Sequence, residues 1–192
     1  MKLLAFYRLC LIAWMLCSVN VYAEDKLPTV DRVALERYSG LWYEVARLPN
    51  RFERDCAGDI TATYVLLPAG KIDVLNECRK FDGALMPARG LARSADGRST
   101  SRLEVRFAPA WLGVFPFVWG DYWVIDLAAD YSWSMVGSPD RKYLWILSRQ
   151  PAMDKTQIDR LLKKAQAIGF DIKQIVFVKN KARGTMPVPR AN

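Results

Sequence analysis

Two side chains far apart in the sequence, the indole of Trp42 and the guanidinium of Arg149, could form a cation–π contact. Trp42 follows Gly40 by two positions, and Arg149 ends an apolar run late in the chain. A guanidinium over an indole forms a cation–π contact that contributes about 0.5–2 kcal/mol. A third short segment, Asp130-Tyr131, lies between them in sequence. These residues can stabilise a structure but offer no catalytic group, and we expect them to lie together at one closed end of the fold.

Catalytic chemistry has little support in the composition. The chain contains no His, which excludes His-dependent triads and removes the commonest ligand of protein metal sites. A cysteine nucleophile would require an unpaired thiol. We therefore expect a protein that is not an enzyme and that uses no cofactor and no metal.

The first 23 residues have the pattern of a secretory signal peptide. Lys2 and Arg8 precede an apolar run over residues 9–19, and Ala23 completes a small-residue cleavage site. The run is too short for a bilayer span of about 20 residues. Cys17 fits poorly as a lipoprotein acceptor, although lipid anchoring there stays open as an alternative. The pattern predicts an exported protein.

Two cysteines remain after the signal. Cys56 and Cys78 flank a predicted hairpin whose turn is Pro68-Ala69-Gly70, so an antiparallel pairing places them nearly opposite each other. Export to an oxidising compartment favours a disulfide between them. Two buried free thiols are the alternative.

Apolar alternation recurs at roughly ten-residue spacing, with turn residues between the runs, which is typical of an all-β protein. Eight antiparallel strands with short connections can close into an up-and-down barrel without exposed edges. The predicted strands are Trp42–Leu48, Ile60–Leu67, Ile72–Asn76, Ala84–Arg93, Ser101–Phe107, Tyr122–Leu127, Ser132–Gly137 and Tyr143–Arg149.

The period changes after the eighth strand. Apolar residues recur at helical spacing from Ile158 to Ile168, Asp154 is a plausible N-cap, and Gly169 is a natural stop. Ile172–Val178 predicts a short final strand. The barrel domain is then expected over residues 24–179, followed by a basic, disordered tail over residues 180–192.

This topology can be tested against the first motif. Trp42 begins the first strand and Arg149 ends the eighth, so an up-and-down barrel brings both to the same end. The turn that holds Asp130 and Tyr131 connects strands six and seven and lies at that end as well. We therefore predict a closed end built from Gly40, Trp42, Asp130, Tyr131 and Arg149.

In these motifs the chain resembles the lipocalin family, most closely the bacterial lipocalins of the outer envelope. The resemblance covers Val33 to Lys179, with Ala129 where the middle motif usually has Thr. It implies a hollow barrel that binds a fatty acid or a (lyso)phospholipid, for storage or transport in the cell envelope. It also implies a location in the periplasm or on the periplasmic face of the outer membrane. A few lipocalins are enzymes, and this remains a minor alternative.

Alternation along the strands predicts which side chains face the interior. A packed, solid barrel is the alternative to a hollow one, because alternation alone does not distinguish them. The carboxylate of Glu44 is costly in such an interior unless it is paired, and it is expected to contact a ligand headgroup or an arginine such as Arg89 or Arg93. The predicted ligand-binding residues are Glu44, Ala46, Tyr64, Val74, Val105, Phe107 and Trp145.

The connection over residues 108–120 is uncharged and unusually apolar for a loop. Exposed apolar patches mark interaction surfaces, and tryptophan suits a membrane interface. Three interpretations compete: a lid over the cavity, a docking or dimerisation surface, and a loop packed into the barrel mouth as core. The residues concerned are Trp111, Leu112, Phe115, Phe117 and Trp119.

The charge balance is basic, with 28 Lys and Arg against 20 Asp and Glu. An exported basic protein meets anionic membrane surfaces, and no motif indicates nucleic acid. The partners we expect are therefore a lipid or other small hydrophobic ligand, with possible peripheral contact to an anionic membrane and a possible homodimer.

Overall fold

Alternating apolar side chains form the eight predicted antiparallel strands in the computed structural model, which describes residues 26–182. The predictions for residues 1–23 and for most of the C-terminal tail lie outside the described residues. The strands are β1 (Gly40–Arg47), β2 (Cys56–Leu66), β3 (Ile72–Lys80), β4 (Leu85–Ser94), β5 (Arg102–Arg106), β6 (Gly120–Leu127), β7 (Trp133–Gly137) and β8 (Leu144–Ser148).

Each strand pairs antiparallel with the next, and β8 returns to β1, which also pairs with β2. The sheet therefore closes into the predicted up-and-down barrel. The start of β1 and the β2–β3, β4–β5 and β6–β7 turns lie at one end, here called the closed end. The β1–β2, β3–β4, β5–β6 and β7–β8 connections lie at the other, the open end.

The barrel wall separates two apolar clusters. The interior cluster is centred on Trp42 and includes Tyr64, Val74 and Leu147. The outer cluster lies between the wall and a helix, α2 (Lys155–Ala167), whose Leu161 is fully buried. Burial of an apolar stripe on the sheet, more than helix propensity, stabilises a surface helix of this kind.

The helix has the predicted ends. The Asp154 carboxylate accepts hydrogen bonds from the backbone N–H groups of Thr156 and Gln157, and Gly169 follows with a φ of +96°. The predicted strand at Ile172–Val178 was too long. Ile172–Gln174 forms a 3-10 turn, and the strand β9 contains Val176–Phe177 alone. Over residues 26–182 no helix has the length and hydrophobicity of a membrane span.

A four-residue helix that the sequence did not predict lies under the closed end. This helix, α1 (Leu35–Tyr38), has no side-chain cap at its N-cap residue Ala34. The segment before it, residues 26–34, is here called the arm. It is held against β6, because the N–H of Val30 donates to the carbonyl of Val124 at 3.0 Å. The arm and α1 therefore cover the bottom of the interior.

The wall between β1 and β2 is completed by the end of the described chain. The two strands pair directly only from Gly40–Tyr43. Higher up, the N–H of Val178 donates to the carbonyl of Val45, and the N–H of Asp59 donates to the carbonyl of Lys179, both at 3.0 Å. Residues 178–181 thus fill the seam between the strands.

The hairpin of β2 and β3 is longer than predicted, and it carries the disulfide. Cys56 and Cys78 are bonded, with their Cα atoms 5.6 Å apart, so the free-thiol alternative is wrong. Cys56 aligns with Lys80 because the register shifts at Gly58. The bridge therefore runs diagonally across the hairpin.

Candidate ligand-binding site

The closed end contains the predicted pair of Trp42 and Arg149. Trp42 is fully buried, and the guanidinium carbon of Arg149 lies 3.7 Å from the centroid of its ring. Gly40 has a φ of +96°, and a Cβ there would lie 3.4 Å from Nη1 of Arg149. The positive φ is therefore the reason for glycine at this position, since a contact of 3.4 Å would itself be tolerated.

Arg149 also binds the backbone beneath the barrel. Its Nη1 donates to the carbonyl of Leu41 at 2.7 Å, and its Nη2 donates to the carbonyls of Arg37 and Ser39 at 2.8 and 2.9 Å. Partial burial lowers the pKa of Arg149 from its ordinary value. The side chain joins β8 to α1 and so holds the cover of the closed end in place.

The other two predicted residues of this end have different roles. Tyr131 has a φ of +64°, its hydroxyl accepts a hydrogen bond from the N–H of Ala34 at 2.9 Å, and the guanidinium of Arg37 lies 4.1 Å from its ring centroid. Asp130 is exposed and accepts hydrogen bonds from the N–H and hydroxyl of Ser132. Tyr131 thus joins the β6–β7 turn to α1, whereas Asp130 shapes the turn itself.

Four hydroxyl groups form a connected floor just above Trp42. The Tyr38 hydroxyl lies 2.9 Å from those of Tyr122 and Ser134, and the Tyr122 hydroxyl lies 3.0 Å from that of Tyr64. Burial raises the pKa of Tyr38 to about 12 and raises those of Tyr64 and Tyr122 as well. All three phenols therefore stay protonated, and the floor is polar but uncharged.

The lower wall above this floor is apolar. Val74 is buried in the interior cluster, and Val105 packs against it partly buried, as predicted for side chains that face inward. The upper wall differs. Ala88 aligns with Asn76, which aligns with the buried Ala62, so Ala88 faces inward, yet it is exposed. The neighbouring Pro87 and Arg89 are exposed as well, and β4 pairs with β5 only from Leu91, so the inner face of this upper part of the β3–β4 hairpin reaches solvent.

Phe107 lies at the rim of this opening, just beyond the end of β5. Its side chain is 43% exposed, and a Cβ at Gly90 would lie 2.8 Å from its ring. The missing side chain of Gly90 therefore lets the ring lie against β4. The ring is thus partly exposed at the upper end of the inner face of β4.

The prediction that Ala46 faces the interior was wrong. The register between β1 and β8 shifts between Glu44 and Ala46, so that Ala46 aligns with Ile146. Both belong to the outer cluster under α2. A β-bulge adds one residue and reverses the alternation beyond it, and for the same reason Arg47, which strict alternation places outside, lies on the interior side with Trp145.

Glu44 faces inward as predicted and is buried, but its partner is not Arg89 or Arg93. Those two arginines lie on the outer face, within 3.6 Å of Asp73 and 2.6 Å of Glu104 respectively. The Glu44 carboxylate instead accepts a hydrogen bond from Nη1 of Arg47 at 2.9 Å.

A second carboxylate reaches the same arginine from the β1–β2 connection. Oε2 of Glu53 lies 3.2 Å from Nε of Arg47 and accepts a hydrogen bond from the indole N–H of Trp145 at 3.3 Å. Burial, and then the neighbouring Glu53, raise the pKa of Glu44 well above its ordinary value. The sequence did not single out Arg47 or Glu53, since only the fold brings them to Glu44.

The apolar β5–β6 connection forms two 3-10 turns, Ala110–Val114 and Pro116–Val118, in which no residue is buried. Trp111 is 73% exposed and Phe117 is 79% exposed. The interpretation of this loop as core packed into the mouth was therefore wrong.

Trp119 belongs to the same connection as predicted, but its ring does not face the mouth. The guanidinium carbons of Arg93 and Arg106 lie 3.9 and 5.2 Å from its ring centroid, and its indole N–H donates to the carbonyl of Gly113 at 2.9 Å. The ring therefore packs on the outer wall with β4 and β5. Of the other predicted loop residues, Leu112 is half-buried and Phe115 is exposed.

The exposed large hydrophobic side chains gather at one pole. Within residues 26–182, ten such side chains are exposed, and two of them, Val176 and Phe177, lie on β9, which pairs with Ala46 and Arg47 along the side of β1. The rest come from three separate connections and the strand ends beside them. This surface, the open-end face, consists of Phe52, Phe81, Leu85, Phe107, Trp111, Val114, Phe115 and Phe117.

The side chains of this interior are mostly apolar or uncharged. Within the described part of the chain, no group of three His, Cys, Asp or Glu side chains could hold a metal ion. The interior combines an uncharged hydroxyl floor, an apolar wall, one buried charged cluster under the β1–β2 connection and an opening beside Phe107. It fits a molecule with an apolar body.

Comparisons with known proteins agree with this geometry. A family model described as a Lipocalin-like domain matches residues 33–180. Temperature-induced lipocalin-1 of Arabidopsis thaliana is 40% identical over 154 residues, which cover 79% of this chain and 82% of that protein. Outer membrane lipoprotein Blc of Citrobacter freundii is 37% identical over 151 residues, covering 78% and 81%. The solved structure of insecticyanin from Manduca sexta superposes with a TM-score of 0.62 at 22% identity, covering 81% of this chain and 85% of that one.

Proposed function

Since this chain is a member of the lipocalin family, we propose that its barrel binds a small hydrophobic or amphiphilic molecule, a fatty acid or a (lyso)phospholipid. The observation that carries the proposal is the inward-facing but exposed Ala88 beside the rim residue Phe107. An acyl chain entering there would contact the apolar wall formed by Val74 and Val105 and end at the hydroxyl floor.

Burial of the acyl chain is sufficient for affinity. Each buried methylene contributes about 0.8 kcal/mol, so sixteen carbons contribute roughly 12 kcal/mol before costs. Association costs about 4 kcal/mol or more. The remaining free energy corresponds to about micromolar binding, which requires no headgroup contact.

Native mass spectrometry of protein purified from its own source, followed by lipid extraction, would identify a bound ligand. Delipidated protein would then be titrated with a C16 fatty acid and with a lysophospholipid. An Ala88→Trp variant fills the interior and should abolish binding, whereas Arg89→Trp places the same ring on the outer face and should leave it intact. Equal binding by both variants, or no binding by the unchanged protein, would overturn the proposal.

We propose further that the protein stores or transports this ligand in a bacterial cell envelope, as a carrier without catalytic activity. The pattern of residues 1–23 supports export to the periplasm or to the periplasmic face of the outer membrane. The relative from Citrobacter freundii is named as an outer membrane lipoprotein. Fractionation of cells that express the full chain tests the location, and recovery of the uncleaved chain in the cytoplasm would contradict it.

The open-end face supports a second role, peripheral contact with an anionic membrane during ligand exchange. Its exposed aromatic rings suit the membrane interface. Cationic side chains accompany them: Arg54 and Lys142 are 76% and 74% exposed beside acidic partners. Arg51 lies on the β1–β2 connection with Arg54, and Lys80 is the last residue of β3. Attraction between such residues and anionic lipid adds to the burial of the rings.

Flotation with vesicles of anionic or zwitterionic lipid tests this role. A Trp111→Ser/Phe117→Ser variant should lose vesicle binding, whereas the control Val176→Ser/Phe177→Ser removes exposed apolar side chains from β9 and should keep it. Loss of vesicle binding with intact ligand binding indicates docking, and loss of both indicates a lid. Unchanged vesicle binding, with dimers that the first variant dissociates, would overturn membrane contact in favour of a homodimer.

A further inference from the structure

Arg47 is an ionised side chain held inside the barrel near its open end. Its side chain is 9% exposed, and the carboxylate of Glu44, itself buried, binds one corner of the guanidinium through Nη1 at 2.9 Å. A guanidinium offers two donors, Nε–H and Nη2–H, along its other edge, and this spacing matches the two oxygens of a carboxylate or phosphate.

Within residues 26–182, the two donors on that second edge, Nε–H and Nη2–H, lack well-aligned hydrogen-bond acceptors. Oε2 of Glu53 lies 3.2 Å from Nε, yet among the residues that the structure describes Nε has no aligned hydrogen-bond partner. Nη2 donates to the backbone carbonyl of Glu53 at 3.4 Å, which is long for a charged donor. The chain's own carboxylate thus approaches the edge without forming the bidentate pair that the edge allows.

Two further donors converge on the same oxygen. Oε2 of Glu53 accepts hydrogen bonds from the indole N–H of Trp145 at 3.3 Å and from the side-chain amide of Asn50. Arg47 and Trp145 are strand neighbours on the interior side of β1 and β8, whereas Glu53 comes from the connection above them. The barrel strands thus supply hydrogen-bond donors that could bind an anion. In the free protein these donors face the Glu53 carboxylate of the β1–β2 connection, which does not satisfy all of them.

We propose that the Nε and Nη2 edge of Arg47, with the indole N–H of Trp145, is the subsite for the anionic headgroup of the bound amphiphile, and that Glu53 occupies it until a ligand carboxylate or phosphate takes its place. The proposal rests on the proposed function, because it needs an acyl chain in the barrel below. It explains why a carrier with an apolar wall keeps a buried arginine at its mouth.

The charges are balanced in both states. The buried Glu44 is displaced toward its neutral form by burial and by Glu53, so that Arg47 needs one further negative charge close by. Glu53 provides it in the free protein and a ligand anion provides it in the complex, while the displaced Glu53 returns to water with its connection. Arg47 stands five positions above Trp42 on β1, roughly 15 Å at the usual rise of a strand, which leaves the interior between them for the acyl chain.

The test compares three probes with one acyl chain: palmitate, lysophosphatidic acid with a palmitoyl chain, and uncharged monopalmitoylglycerol. Their affinities for delipidated protein would be measured by calorimetry for the unchanged chain and for Glu53→Gln. Removing the competing carboxylate should raise the affinity for the anionic probes about fivefold or more and leave that for the uncharged probe unchanged. A gain for palmitate alone identifies a carboxylate subsite, and a gain for both anions identifies a general anion subsite.

Two variants complete the design. Glu104→Gln removes the same charge from the ion pair with Arg93 on the outer face and should change no affinity. Glu44→Gln/Arg47→Met removes the buried pair together, leaves the Glu53 carboxylate with its donors Trp145 and Asn50, and should abolish the preference for anions while monopalmitoylglycerol still binds. Binding of all probes with an unaltered preference in Glu53→Gln and in this double variant would overturn the inference alone. Binding of no probe to any form would overturn the proposed function and the inference with it.

Discussion

Trp42 and Arg149 donate hydrogen bonds to the same acceptor, the carbonyl oxygen of Tyr38, at 2.8 and 3.2 Å. This carbonyl belongs to the last residue of α1, where helical carbonyl groups lack partners within the helix. The barrel therefore caps the short helix that covers it. The cation–π contact and the capping are parts of one arrangement, and the stability of the closed end depends on both residues.

Replacing Trp42 by Ala should destabilise the fold by about 3–5 kcal/mol, because it leaves a large cavity at the closed end of the barrel interior and removes the donor to Tyr38. Thermal and denaturant unfolding would measure the loss. Trp111→Ala is the matched control, since that ring is 73% exposed, and its melting temperature should barely change. An unaltered melting temperature for Trp42→Ala would contradict the role of the closed end.

Arg149→Lys keeps the positive charge but loses the planar fork that reaches the carbonyls of Arg37, Ser39 and Leu41. We expect a loss of about 1–3 kcal/mol, the cost of leaving such groups unpaired. Hydrogen exchange should increase first in α1 and in the arm before it. Exchange that increases evenly over the whole barrel would show that Arg149 does not act on this cover.

Stability should depend on pH through Glu44. Its pKa is raised in the folded protein, so above its unfolded value the folded state binds more protons than the unfolded state, and stability falls as pH rises. Glu44→Gln removes this titration. The melting temperature of the variant relative to the unchanged chain should therefore increase from pH 5 to pH 8.

Glu104→Gln provides the reference for that comparison, because its carboxylate lies in an ion pair on the outer face. The difference in melting temperature between Glu104→Gln and the unchanged chain should vary less from pH 5 to pH 8. A constant difference for Glu44→Gln, or one that decreases with pH, would show that burial does not control this carboxylate.

The disulfide closes a loop with a sequence separation of 22 residues. Removing it by a Cys56→Ser/Cys78→Ser double substitution should cost about 3 kcal/mol, mainly through the greater freedom of the unfolded chain. Denaturant unfolding of the variant, beside the oxidised protein, would measure the difference. Ligand affinity should also be measured well below the unfolding transition, because the N–H of Cys56 donates to the carbonyl of Glu53 at 3.0 Å and the bridge therefore lies beside the β1–β2 connection. A marked loss of affinity would show that the hairpin helps to shape the interior.

Much of the fold could be predicted because its signals are local or repeated. The eight strands follow from period-two alternation, and α2 follows from its period and from the Asp154 cap. The approach of Trp42 to Arg149 follows from counting antiparallel strands. The helix α1 was missed because four residues are too few to show a period and its N-cap residue, Ala34, forms no side-chain cap.

The site was harder to predict because a single irregularity changes which side chains face inward. The bulge after Glu44 moves Ala46 outside and Arg47 inside, and no glycine or proline in the sequence marks it. The approach of Glu53 to Arg47 depends on how the β1–β2 connection folds over the barrel. The spacing of residues in the sequence does not predict that conformation. Trp119 was misplaced because two outer arginines bind its ring.

The seam between β1 and β2 has a consequence for how the protein is made. Residues 178–181 complete the wall there through hydrogen bonds to Val45 and Asp59. A growing chain emerges from the ribosome with its N-terminus first. Every strand from β1 to β8 is therefore synthesised before residues 178–181, which join the upper halves of β1 and β2. The barrel therefore gains an unbroken wall only in the last stage of biogenesis, and until then a lateral slit beside Glu44 gives access to the interior.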